Sequence, residues 1–124
     1  MKQTDRTRAQ PFEANLRGER VMCSVEDAGP GPARITVRCY ASEPRAGLRS
    51  VSKFAGYCDR ILVLVEPHSA DLAWAQVLAS YYGFGLEFEV EQTRNMVMAA
   101  PVSDIDYSTG ARARFLRAVL AQRL

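Results

Sequence analysis

The chain has one histidine, His68, and three cysteines, Cys23, Cys39 and Cys58, none in CxxC spacing. Without a second histidine or a paired cysteine, neither a zinc site nor a Cys-His nucleophile has its parts. His68 falls in a strand-to-helix turn and reads as a cap or surface residue. An odd number of cysteines, each in or beside an apolar segment, argues for buried free thiols in a reducing cytoplasm. No apolar run approaches the roughly 20 residues of a membrane-spanning helix, and the polar opening MKQTDRTRAQ does not read as a signal peptide. GPGP lacks the lysine and the following helix of a phosphate loop, and GFG follows a helix where a dinucleotide fingerprint precedes one. No cofactor is therefore expected, and no internal repeat or low-complexity tract is present.

What the sequence does contain is one domain's worth of chain. Its 124 residues, 48% hydrophobic and 24% charged, suit a flexible polar arm over residues 1–11 and a single α/β domain over 12–124. Net charge is only +2, but arginine outnumbers lysine by 14 to 2. Arg6, Arg8, Arg17 and Arg20 gather near the start and Arg112, Arg114, Arg117 and Arg123 near the end, whereas Glu87, Glu89 and Glu91 fall in one strand. Positive ends and one acidic, solvated strand face follow.

Phe12–Leu16, Glu19–Val25 and Arg34–Tyr40 read as a three-stranded antiparallel meander. In the third, Ile35, Val37 and Cys39 alternate with Thr36, Arg38 and Tyr40, the period of a half-buried strand. Ser42-Glu43-Pro44 starts a helix expected to run to about Tyr57, with Ser42 as cap and Leu48, Val51, Ala55 and Cys58 as its packing stripe. ILVLV, Ile61–Val65, has no polar alternation and reads as a central strand covered on both faces. A second helix, Asp71–Tyr82, carries Leu72, Trp74, Ala75, Val77, Leu78 and Tyr81 at core spacing, and Trp74 and the pair Tyr81-Tyr82 read as packing rather than base-stacking residues. Gly83 stops it. Phe84–Glu91 is the return strand, MVMAAPV an edge strand or covering segment, and a last helix follows Ser108 or Thr109.

An antiparallel meander, a crossover helix, a buried strand, a second helix and a return strand, with ITVR, LRSVSKFAGYCDRILVLV and YYGFGLEFEV in that order, resemble the restriction-endonuclease-like, PD-(D/E)XK nuclease superfamily over roughly Phe12–Glu91. In that superfamily an acid on one strand and an acid-x-lysine on the next hold a divalent metal and position the attacking water. The resemblance puts the acid-x-lysine on Thr36 and Arg38, and the upstream acid on Asn15 or, with shifted strands, Asp27. Threonine brings no negative charge, and a guanidinium stays protonated and is a poor base. Glu13, Glu26 and Glu43 remain as carboxylates that could have migrated into the site. Thr36 and Arg38 also read simply as the exposed positions of a half-buried strand.

The resemblance thus implies a catalytically degenerate nuclease-fold protein with no catalytic or metal-binding residues, a nucleic-acid binder or a noncatalytic subunit of a nucleic-acid-processing assembly. Arg38, with the helix row Arg45, Arg49 and Lys53, is the candidate contact to DNA or RNA phosphates. The alternative is a protein-interaction or self-association module, a homodimer or a complex with a protein partner, formed through Phe84–Val90 or the last helix, with the arginines only solubilising. An active nuclease with relocated carboxylates is the third class. The expected location is cytoplasmic, with no membrane contact.

Overall fold

The computed structural model describes residues 10–26 and 34–123. The expected arm falls largely on residues 1–9, and Asp27 on the segment 27–33, both outside the described residues. Among the described residues nine elements run in the order β1 (Phe12–Leu16), β2 (Glu19–Glu26), β3 (Arg34–Ala41), α1 (Pro44–Ser52), β4 (Asp59–Val65), α2 (Ser69–Tyr82), β5 (Gly85–Val90), β6 (Thr93–Met98) and α3 (Gly110–Gln122). The strands form one sheet in sequence order, β1-β2-β3-β4-β5-β6. β1, β2 and β3 make the expected antiparallel meander; β3, β4 and β5 are mutually parallel, and β6 returns antiparallel to β5. The first three residues of MVMAAPV thus belong to an edge strand.

Two successive crossovers of the usual right-handed sense, each advancing one strand in the same direction, put α1 and α2 on the same face. The core shows this directly. Val21, Cys23, Ile35, Val37, Leu62, Leu64 and Leu86 line one sheet face and cluster with Val51 and Phe54 from α1 and its following turn, Ala75 and Leu78 from α2, and Phe115 and Val119 from α3. Phe115 meets Phe54 edge-on, with ring centres 6.2 Å apart. Residues 61–64 are buried throughout. The second face of β4, however, is covered not by a helix but by neighbouring side chains, with Val63 between Tyr40 and Glu87 in the ladder.

Several boundaries differ from the sequence reading. α1 stops at Ser52, because residues 53–57 tighten into three-residue turns and Gly56 adopts φ +83°. Its buried positions are therefore Pro44, Gly47 and Val51. Ala55 is exposed. The N-cap is Glu43, not Ser42: its carboxylate accepts from the Ala46 N–H. α2 begins at Ser69 and buries Ala75, Leu78 and Ala79, while Trp74, Val77, Tyr81 and Tyr82 are solvent-facing. Ala75 and Ala79 let the helix lie close on the sheet with Leu78 beside them, and the aromatic residues are turned out. α3 packs beside β1, and the Gln122 amide accepts from the Asn15 N–H at 2.8 Å and donates to the Asn15 carbonyl at 2.9 Å. This pairing occupies part of the outer edge of β1.

Candidate functional site

With all three helices on one face, the opposite sheet face is left to the alternate residues of the strands. Register places Ser24 beside Thr36, Thr36 beside Asp59, Arg38 beside Ile61, and Val63 beside Glu87, so residues from four strands share this surface. The chain after β6 passes over its end. A Cβ on Gly85 would come within 2.8 Å of the Ala100 backbone nitrogen, so only glycine admits that crossing. The result is a cleft of about 520 Å³ lined by Ser24, Glu26, Arg34, Thr36, Arg38, Asp59 and Glu87, with Met96, Met98, Ala99 and Ala100 at its side.

Its floor is a set of ion pairs. Arg38 Nε and Nη2 donate to Glu87 Oε1 and Oε2, each at 3.1 Å. Arg94 Nε lies 3.3 Å from the same Oε1, and its Nη1 donates to the Tyr40 hydroxyl at 3.1 Å. Arg34 Nε donates to Asp59 Oδ2 at 2.8 Å. Glu87 and Asp59 are each only 4% exposed. A carboxylate so far out of water requires such partners. Alternation along β5 predicts a solvated, acidic position for Glu87; the structure corrects this, because β5 is flanked by β4 and β6 and its outward side chain lies under two guanidinium groups. Asp59 and Arg60 read in the sequence only as a lead-in to ILVLV. Asp59 belongs to the cleft, whereas Arg60 points to the helix side and donates to the carbonyls of Val51, Tyr82 and Gly83 at 3.2, 2.9 and 3.1 Å. Charges immediately flanking a continuously apolar strand are the signal for both.

The chain matches no protein-family model, no curated protein and no solved structure.

Of the four positions matched to the nuclease motif, Thr36 and Arg38 do face one cleft. Asn15 does not join them: it stands on β1, two strands from β3, opposite Arg20. Asp27 lies outside the described residues. Two of the three carboxylates that could have migrated are otherwise engaged, Glu13 with Arg20 at 2.7 Å and Glu43 in capping α1, while Glu26 lines the cleft. Among the described residues there is no group of three or more His, Cys, Asp or Glu side chains able to hold a metal ion. His68 is the N-cap position of α2 and makes no side-chain capping bond.

The candidate nucleic-acid contacts do not form one surface. Arg38 faces the cleft and is committed to Glu87, whereas α1, which carries Arg45 and Arg49, packs on the opposite sheet face. Arg45 and Arg49 are exposed. Lys53 follows the helix and pairs with Glu19 at 2.6 Å. The three cysteines are buried and unbridged. Burial pushes the Cys23 thiol up to about 11 and Cys39 up to about 12, and it raises Cys58 as well, so none serves as a thiolate near neutral pH. No helix among the described residues is long and apolar enough to cross a membrane.

Proposed function

We propose that this protein is a catalytically degenerate nuclease-fold protein that binds nucleic acid without cutting it. Support for the fold comes from the element order, an antiparallel meander followed by a crossover helix, a buried strand, a second helix and a parallel return strand. The observation that carries the noncatalytic half of this reading is the Arg38–Glu87 pair. In the position of the motif's lysine stands a guanidinium, and the buried carboxylate nearest it in the cleft is gripped at both oxygens. Drawing Glu87 onto a divalent ion would require breaking two charge-assisted hydrogen bonds in a half-dry setting. Thr36 offers only a hydroxyl in exchange.

The test pairs binding with cleavage. Labelled duplex DNA, single-stranded DNA and RNA should bind with an affinity that drops steeply with salt, and none should be cut with magnesium or manganese. An Arg6→Ala, Arg8→Ala variant of the full chain separates the contribution of the opening segment. Metal-dependent cleavage that Glu26→Ala abolishes would overturn the noncatalytic reading; no binding at low salt would overturn the nucleic-acid reading.

A second reading rests on α2. Trp74, Val77 and Tyr81 form an exposed apolar stripe along one side of a helix whose single charge is Asp71. An uncharged surface meets no repulsion from a copy of itself, which favours a two-fold pair of α2 helices. The other candidates for self-association are less suited: β5 is paired on both sides within the sheet, and α3 is seated on β1. If the stripe associates, Trp74→Glu with Tyr81→Glu converts a dimer to a monomer in sedimentation.

A further inference from the structure

Three arginines that take no part in the cleft converge elsewhere. Arg17, in the β1–β2 turn, holds its guanidinium carbon 4.6 Å from the centre of the Tyr57 ring, and that ring packs on Phe115 of α3 at 5.4 Å. Arg112 donates from Nε to the Gly56 carbonyl at 2.9 Å, which fixes its guanidinium over the turn that carries Tyr57. Arg114 shares with Arg17 and Tyr57 the lining of a hollow of about 350 Å³. A second hollow, of about 360 Å³, is lined by Tyr57 and Arg112. Two segments far apart in sequence, the β1–β2 turn and α3, thus bring three guanidinium groups around one aromatic ring carried by a third.

None of the three forms a direct ion pair with a described residue, although Arg112 lies near enough to Asp106 to help hold its carboxyl below the usual range, after the hydrogen bonds from Ser108. Among the described residues the ion pairs use Arg20, Arg34, Arg38, Lys53 and Arg94, and none uses Arg17, Arg112 or Arg114. Asp106, the acid preceding α3, turns its carboxylate to the Ser108 N–H at 2.9 Å. We propose that this arginine-rimmed surface, rather than the cleft or the α1 row, is the contact to the phosphate backbone of a nucleic acid. The proposal rests on the nucleic-acid reading given above and names its surface. Guanidinium groups with open donors match phosphate oxygens in two-point contacts, and a protein chain with its own aromatic ring under one of them holds that group in place without neutralising it. An acidic peptide fits less well. At Asn15 the adjoining edge of β1 is already paired by Gln122, which shortens the backbone a peptide could extend as a strand.

The experiment measures binding of a labelled 20-nucleotide DNA, single-stranded and duplex, to the full chain and to three variants across a salt series. Arg17→Gln with Arg114→Gln should weaken binding by about tenfold or more and lower the salt slope by roughly 0.7 to 0.9 for each phosphate no longer bound. Arg17→Lys with Arg114→Lys should restore most of the slope. Arg45→Gln with Arg49→Gln should bind within about twofold of the parent, as charges away from the bound phosphates change little. Thermal melts establish that each variant is folded, and Arg114→Gln alone, at a position with no side-chain hydrogen bond among the described residues, gives the same direction should the double variant unfold. A parent that binds while the Arg17, Arg114 variant binds equally well overturns this surface and leaves the nucleic-acid reading standing. A parent that does not bind overturns both. Competition by polyglutamate as strong as by DNA of equal charge replaces nucleic acid with an acidic peptide as the partner.

Discussion

Glu87 shows how far a residue's surroundings can depart from its place in a pattern. It alternates with Leu86 and Phe88 as a solvent-facing strand residue should, yet it is buried and held by Arg38 and Arg94. Removing the Glu87 charge leaves Arg38 and Arg94 without their carboxylate, and because both guanidinium groups keep some contact with water the cost is about 1 to 3 kcal/mol, below that of a fully buried pair. Glu87→Gln is therefore expected to lower stability by that order in urea titration, and Arg38→Met combined with Glu87→Leu should recover much of it. A double variant no better than the single one would show that the pair does more than compensate for its own burial. No local pattern announces the pairing, since Arg38 and Glu87 are 49 residues apart. Alternation does place Thr36 and Arg38 on one face; which carboxylates they meet depends on how β4 and β5 line up beside β3.

Elements are most legible where one period acts alone. The alternation of β3 and the unbroken ILVLV identify two central strands, and glycine at position 83, with φ +78°, ends α2 where its place in the sequence predicts. Spacing places Ala75 and Leu78 on the inner face of α2 correctly but adds Trp74, Val77 and Tyr81, because these large residues also have helical periodicity, whereas contact with the sheet is made by Ala75, Leu78 and Ala79. Periodicity reports that a helix has faces; it does not report which face a close approach can accommodate. The β5–β6 hairpin carries another feature hidden from the pattern. Its two-residue turn, Glu91-Gln92, has φ values of +51° and +66°, left-handed positions that favour glycine or asparagine. Gln92→Gly should stabilise the protein by about 0.5 to 1 kcal/mol, since the relief of left-handed strain exceeds the added freedom of the unfolded chain. A lower urea midpoint for this variant would count against the strain.

At the scale of the whole molecule, the helices form one layer and charge pairs serve both the open sheet face and the junction with α1, so acid should loosen the protein from its polar contacts. Glu19 makes the clearest case. Its carboxylate lies below the usual range because it accepts from Lys53 and then from Ser50, joining the first hairpin to the end of α1. A carboxylate whose folded pKa lies below its unfolded value adds stability above the unfolded value, and that contribution disappears as pH falls through the folded one. Melting temperature should accordingly fall as pH drops below the ordinary value of 4.5, and Glu19→Gln should make that part of the pH profile shallower. An unchanged profile would remove Glu19 from the account. The bridge between Gln122 and Asn15 has a different consequence, for motion. It closes a loop across 107 residues of sequence, so fraying of the first strand and lifting of the last helix become one opening event. The amide hydrogen of Asn15, protected only while Gln122 accepts it, then serves as a clock for that event: its exchange rate with deuterium reads how often α3 leaves the sheet.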